Sequence, residues 1–243
     1  MTTTSCSRPG LNANQLRTLA MILMLIDHVW AVFLSSHLWM TYLGRLAFPI
    51  FAFQISEGFF HTSDRRRYAK RLLLFALLSE IPFDLVYGST PFYPFHQNVL
   101  FTLLLGLLGC CAIDRTRQIG TKKAWALCAL SLAGILLAAT VFFVDYGWRG
   151  VATVLAFYAL RDFPGARLAQ LCALAALNIL GVRDMTLPLL GWDFPTQGFA
   201  VGAIVPIWLY NGQRGGGGKA LQYAFYAFYP VHLLVLYLLF YFR

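Results

Sequence analysis

Arg17 and His28 are separated by ten residues inside an otherwise apolar stretch. At 100° per residue the two side chains fall within about 20° of one helix face, with the arginine roughly 16 Å below the histidine. An imidazole titrates near neutral pH and can act as a general base or bind through either nitrogen. A lone histidine is more often a packing residue, but an arginine beneath it on the same face argues for a working pair. Asp27, the neighbour of His28, points elsewhere and is poorly placed to orient that ring.

A second constellation occupies Asp64-Arg65-Arg66-Arg67-Tyr68-Ala69-Lys70-Arg71. Arg67 and Arg71 are four apart at the start of a helix, as are Arg66 and Lys70, so each pair forms a basic prong. Guanidinium grips phosphate through a bidentate fork, which suits a polyphosphate. Anionic lipid headgroups satisfy the same residues, and so does a stop-transfer loop that only sets topology. Residue types alone leave these readings open.

Further polar groups sit within apolar runs. Gly44-Arg45 opens one of them, and Gln54 and Glu57 lie three apart further along it. Ser79-Glu80-Ile81-Pro82-Phe83-Asp84 combines two carboxylates with a proline that should kink its helix. Asn98, Thr102 and Gly106 form a stripe at helical spacing, and Tyr229-Pro230-Val231-His232 joins a proline to a histidine. Each ionisable group at mid-bilayer costs about 2.5–3.5 kcal/mol and normally faces a bundle interior or a water-filled cavity. An ion-pair network that fixes helix packing is the bland alternative to chemistry. As chemistry, Glu57 or Glu80 is expected to orient the His28 imidazole, and Arg45, Asn98 or Tyr229 to donate to a developing oxyanion. Asp27 and His232 complete the polar core.

The elements that position these groups are set by composition. Of 243 residues, 59% are apolar and 12% charged, against about a quarter charged in a soluble domain. The mean hydropathy is +0.64. No water-soluble domain of this size could hide so much apolar surface. The pattern predicts an all-α, polytopic transmembrane bundle, one integral-membrane domain over residues 1–243. Nine spans are expected, with eight or ten also compatible: 14–35, 44–61, 69–87, 97–114, 122–144, 147–161, 166–182, 197–211 and 219–241. With an N-terminus inside, only Arg45, Arg149, Arg183 and Arg243 of the 19 basic residues fall outside. Arg8, Arg17, Arg214 and Lys219 are among those left inside. The positive-inside rule therefore places the N-terminus in the cytoplasm and assigns the net charge of +9 to topology, not to nucleic acid. Five cysteines, Cys6, Cys110, Cys111, Cys128 and Cys172, lack metal-ligand spacing and read as small core residues. Residues 184–195 are expected to form the longest outer loop.

At these residues the sequence resembles the TraX family of conjugal-transfer membrane proteins. The resemblance covers most of the chain and is carried by AMILMLIDH (20–28), GRLAFPIF (44–51), QNVLFT (97–102), DYGWRG (145–150) and FYPVHL (228–233). The family is known for acetylating the N-terminus of pilin, and is similar to the wider acyltransferase-3 group of membrane enzymes that use acetyl-CoA. That group shares a basic residue, ten residues and a histidine in its first span, matched by Arg17 and His28. It also shares an Arg-xxx-Arg motif near the cytoplasmic end of a span, matched by Arg67 and Arg71.

The resemblance implies a multi-pass protein of the bacterial inner membrane that binds cytoplasmic acetyl-CoA through Arg17, Arg67, Arg71 and Lys70. His28 would act as the general base, or as a covalent acyl carrier. The pantetheine arm is comparable in length to the roughly 16 Å between Arg17 and His28. The expected acceptor is an envelope glycan, a lipid-linked sugar or an exported peptide such as pilin. A proton-coupled transporter is the alternative function, since it too keeps Asp, Glu and His in its spans. Its usual inverted repeat is missing here, because the charges crowd into the first three spans.

Overall fold

The computed structural model describes residues 9–182, 185–189 and 191–243. Cys6, Arg8, Arg183 and Asp184 lie outside the described residues, as does the side chain of Lys219. The helices run α1 (Ala13–Phe33), α2 (Trp39–Gly44), α3 (Ala47–His61), α4 (Arg65–Tyr87), α5 (Val99–Ile119), α6 (Lys122–Val141), α7 (Gly147–Ala159) and α8 (Ala166–Ile179). An antiparallel hairpin follows, β1 (Thr186–Leu189) and β2 (Trp192–Pro195), with Thr186 opposite Pro195. A 3-10 helix over Thr196–Ala203 leads into α9 (Ile204–Trp208), and α10 (Lys219–Tyr241) closes the chain.

Local chemistry explains the starts. The Asn12 and Gln15 side chains cap α1 reciprocally, Asp64 accepts from Arg67 N on α4, Asn98 from Leu100 N on α5, and Thr121 from Ala124 N on α6. Each such cap is worth about 1 kcal/mol.

Four expectations need correction. The span expected over 44–61 is interrupted at Arg45 and Leu46, which separate α2 from α3. The one expected over 197–211 begins as a 3-10 helix, because Thr196, Gly198 and Gly202 are weak helix formers. The outer segment before it is a hairpin and not a plain loop. Cys172 is exposed on α8 and so is not a core residue.

Among the described residues, four helices are long and apolar enough to cross a membrane: Ala13–Phe33, Val99–Ile119, Lys122–Val141 and Ala220–Tyr241. Helices α3, α7 and α8 have 15, 13 and 14 residues. Each rises roughly 20 Å, less than the ~30 Å hydrocarbon core. The 23-residue α4 is long enough, but it opens on five basic residues and carries Glu80 and Asp84.

Helix ends sort into two groups. At one end Arg65 of α4 meets Asp114 of α5 at 2.6 Å, Glu57 of α3 meets Arg161 beyond α7 at 2.8 Å, and Leu11 bridges to Tyr210. At the other, Gln97 exchanges backbone hydrogen bonds with Phe143 and Asp145, and Arg149 donates to the Leu177, Leu180 and Gly181 carbonyls at the end of α8. Leu16, Ile50, Phe59, Leu107, Leu174 and Leu233 fill the interior, while Leu74, Leu77, Leu78 and Ile81 of α4 and Leu130 and Leu137 of α6 are more than half exposed. That outward apolar surface suits lipid.

Close approach of α5 to α7 depends on Gly106, where a Cβ would lie 2.7 Å from the Val154 Cβ. Gly106→Ala should therefore cost about 1–3 kcal/mol through overpacking. Gly134→Ala on α6, which has nothing within 4 Å, should be neutral or gain about 0.5–1 kcal/mol. Thermal unfolding of the detergent-solubilised variants, followed by size-exclusion fluorescence, checks the contrast.

Candidate functional site

A cavity of about 480 Å³ opens at the end of the bundle where α1 begins. It is in the usual range for small-molecule sites, roughly 300–1,000 Å³. Its mouth gathers Arg17 from α1, Glu57 and His61 from α3, Arg71 from α4 and Arg214 from the segment before α10. Deeper in, the lining becomes apolar, with Met21, Met24, Phe51, Ile55, Leu103 and Phe225. Val99 and Tyr229 form the far wall. The α1 contribution follows the helical period: Ala13, Arg17, Met21 and Met24 share the face that ends at His28.

The arginines at the mouth are braced by different partners. Arg17 Nε donates to Gln54 Oε1 at 3.1 Å, and its guanidinium lies 4.9 Å from the centre of the Phe225 ring. Gln54 Nε2 in turn donates to the Ala13 carbonyl at 2.9 Å. Arg71 hydrogen-bonds the Tyr226 side chain and lies 5.8 Å from the Tyr68 ring centre. Its Nε is buried without a hydrogen-bond partner, although it faces the cavity. Leaving a buried charged donor unmade costs at least about 1–3 kcal/mol. Arg67 and Lys70 do not line the cavity. Asp64, the N-cap of α4, pairs with Arg67 Nε at 3.5 Å and leaves that side chain 75% exposed.

His28 lies just beyond the far wall, with a residue exposure of only 9%. Its Nδ1 is 2.6 Å from Nε2 of His232 on α10. The Tyr229 ring is 6.3 Å from the His28 ring, centre to centre, and Tyr87 is 6.1 Å away on the α4 side. Tyr229 also accepts a hydrogen bond from Val99 N, the first amide of α5. Pro230 sits between Phe228 and His232 and removes one backbone donor from α10, where the helix turns its histidine toward α1.

The two glutamates expected to orient His28 do other work. Glu57 is at the mouth, held by Arg161 at 2.8 Å and 3.8 Å from His61 Nδ1. Glu80 is bound by the Asn98 amide. Asn98 spends its second amide hydrogen on the Ala76 carbonyl at 2.8 Å and its oxygen on Leu100 N, so it ties α4 to α5 and has no hydrogen left for an oxyanion.

Arg45 sits with the Tyr146 side chain, to which it donates, and with Asp27, whose side chain packs on Gly44. Close by, His96 Nε2 is 3.7 Å from Asp145 Oδ1, and the Asp145 carbonyl accepts from Thr102. Asp27, Arg45, Asn98 and Glu80 thus belong to a cluster beyond His28, remote from the arginine mouth. Among the described residues, no group of three or more His, Cys, Asp or Glu side chains is placed to hold a metal ion.

Arg214, His61, Tyr68 and Tyr226 are site residues that spacing alone did not reveal. Arg214 precedes the glycine run Gly215–Gly218, which has no periodic frame from which a facing direction can be read.

A family model described as "TraX protein" matches residues 12–240. The "Probable fimbrial assembly protein FimC, serogroup H1" of Dichelobacter nodosus is 32% identical over an alignment covering 93% of this chain and 94% of that protein. "Protein TraX" of Escherichia coli is 28% identical, covering 91% of this chain and 84% of its own. No solved structure matches.

The Asp145 carboxylate raises the pKa of His96 above its ordinary 6.5, first by hydrogen bonding and then by charge, against the opposing effect of partial burial. A raised histidine stabilises the fold fully below its unfolded pKa and loses that contribution as pH climbs through the folded value. Stability should therefore decline as pH rises from 6.5 through the folded value, and Asp145→Asn should flatten that decline. Melting temperature measured against pH for both proteins checks it.

Proposed function

The chain belongs to the TraX family, and from that membership we propose a membrane-embedded acyltransferase that moves an acetyl group from acetyl-CoA to an exported or envelope acceptor. The carrying observation is the cavity. Three arginines from separate elements surround its mouth, an apolar passage follows, and a buried histidine pair stands behind the far wall. The partnerless Arg71 Nε is the group that best fits a phosphate. Arg17, Arg71 and Arg214 would hold the phosphates, and Met21, Met24, Phe51 and Leu103 would exclude water around the arm.

Bound acetyl-CoA supplies a thioester. His28 Nε2 removes the proton from the acceptor amine or hydroxyl as the new bond to the acyl carbon forms and the carbon–sulfur bond breaks. The same nitrogen then returns that proton to the departing thiolate, so the imidazole ends neutral. Tyr229, at the far wall beside His28, would donate to the oxyanion. The wider acyltransferase-3 likeness of Arg17-x10-His28 supports the same assignment.

The FimC relative is named for fimbrial assembly, and with the TraX membership this favours a pilin-like peptide amine over a glycan as the acceptor. On the positive-inside rule the basic end would face the cytoplasm; in a bacterial inner membrane, the expected location, the cluster of Arg45, Asp27 and Asp145 would then lie on the periplasmic side.

Calorimetric titration of the purified protein with acetyl-CoA tests the reading. Arg71→Ala and Arg214→Ala should each weaken binding by roughly tenfold or more, the worth of a charge-assisted hydrogen bond. Arg67→Ala should leave affinity nearly unchanged, and His28→Ala should bind but not transfer. Wild-type protein that folds and does not bind acetyl-CoA would sink the proposal, as would equal losses in the Arg67 and Arg71 variants.

A further inference from the structure

Resting on the reading of His28 as the base, we propose that His232 is a positioning residue that locks His28 into the tautomer whose Nε2 carries the lone pair. The argument is a chain of obligatory donors and acceptors. The Phe228 carbonyl can only accept, and His232 Nδ1 lies 2.8 Å from it, so that nitrogen carries the hydrogen. In the neutral ring the other nitrogen, Nε2, is then an acceptor. It lies 2.6 Å from His28 Nδ1, so the hydrogen between them belongs to His28. That leaves His28 Nε2 without hydrogen and able to take a proton.

The geometry supports a directed bond over casual stacking. The two rings are 6° from parallel with centres 4.9 Å apart. That separation matches two coplanar rings meeting edge to edge through a short N–H···N contact, since overlapping faces would bring the centres closer. His232 is itself pinned. Its ring lies 4.7 Å from the Phe228 ring at 13°, and the Tyr229 ring meets it at a 61° tilt, 5.6 Å away. The ring therefore cannot turn without losing the carbonyl bond and both aromatic contacts.

An imidazole in this place differs from the carboxylate of a hydrolase triad. It orients the base without adding a fixed negative charge, which would be costly so far from water. The carbonyl of a helical residue sets the direction of the whole relay, so its polarity is written into the backbone of α10.

Ring-¹⁵N-histidine NMR of the full-length protein in detergent micelles reads the tautomer directly. His28→Ala and His232→Leu spectra assign the two rings. In wild type, His28 should show a protonated Nδ1 and a bare Nε2. His232→Leu should abolish that signature, and His232→Gln, whose side-chain oxygen accepts from Nδ1, should retain it. A hydrogen on Nε2 of wild-type His28, a doubly protonated ring at either position, or an unchanged His28 signature in His232→Leu overturns the assignment.

A kinetic arm uses acetyl-CoA with hydroxylamine as acceptor and free thiol as readout. His232→Leu should lower kcat by roughly ten- to a hundredfold with little change in KM for acetyl-CoA, and His232→Gln should recover most of it. Transfer that survives in His28→Ala would overturn the base reading while leaving the tautomer assignment standing, so the two fail separately.

Discussion

One neutral hydrogen bond between two imidazoles sets the shape of the site. Helices α1 and α10 run in the same direction, and the cavity opens at their starts, where the Arg17 guanidinium lies 4.9 Å from the centre of the Phe225 ring. They converge where His28 meets His232, and again at Phe33 and Phe240, whose rings are 6.3 Å apart. In lipid no water competes for an N–H···N contact, so an uncharged pair can close the cleft without the desolvation cost of an ion pair.

The charged groups follow the same economy by withdrawing from the middle. Arginines and their partners occupy the end where α1 begins, and Arg45, Asp145 and His96 the other, with Met21, Met24 and Leu103 between. Short helices within the bundle need their terminal backbone groups satisfied. Arg149 does this for α8 by donating to three carbonyls, and Asn98 does it for α5 while fastening α4. Several polar residues that look catalytic from composition are therefore fasteners.

How much was legible in the sequence follows from what periodicity encodes. The shared face of Arg17 and His28 is a property of one helix and could be read directly; the lining series Ala13, Arg17, Met21, Met24 continues it. The partner of His28 lies 204 residues away and depends on how two helices are brought together, which no local pattern carries. The same limit affected Glu57 and Glu80, whose depth in their helices was apparent but whose neighbours, Arg161 and Asn98, were not. Arg67 stands outside the cavity lining for a different reason. Four-residue spacing puts it beside Arg71, yet Asp64 at the helix cap draws its side chain away. The broken second span and the 3-10 start of the eighth reflect tertiary packing and weak local propensity in segments whose hydropathy looks continuous.

The length of chain between the two histidines bears on how the protein is made. The first turn of α1 is also fastened to the far end of the sequence, through Leu11 N to the Leu209 carbonyl and Ala13 N to the Gln213 carbonyl, each at 2.8 Å. A ribosome delivers α1 well before α10, so Arg17 meets Gln54 of α3 early, whereas His28 enters the bilayer long before His232 arrives. Until then, the His28 imidazole waits on a largely apolar α1 without its partner. The histidine pair and the backbone bonds at the start of α1 can therefore close only after α10 has been made.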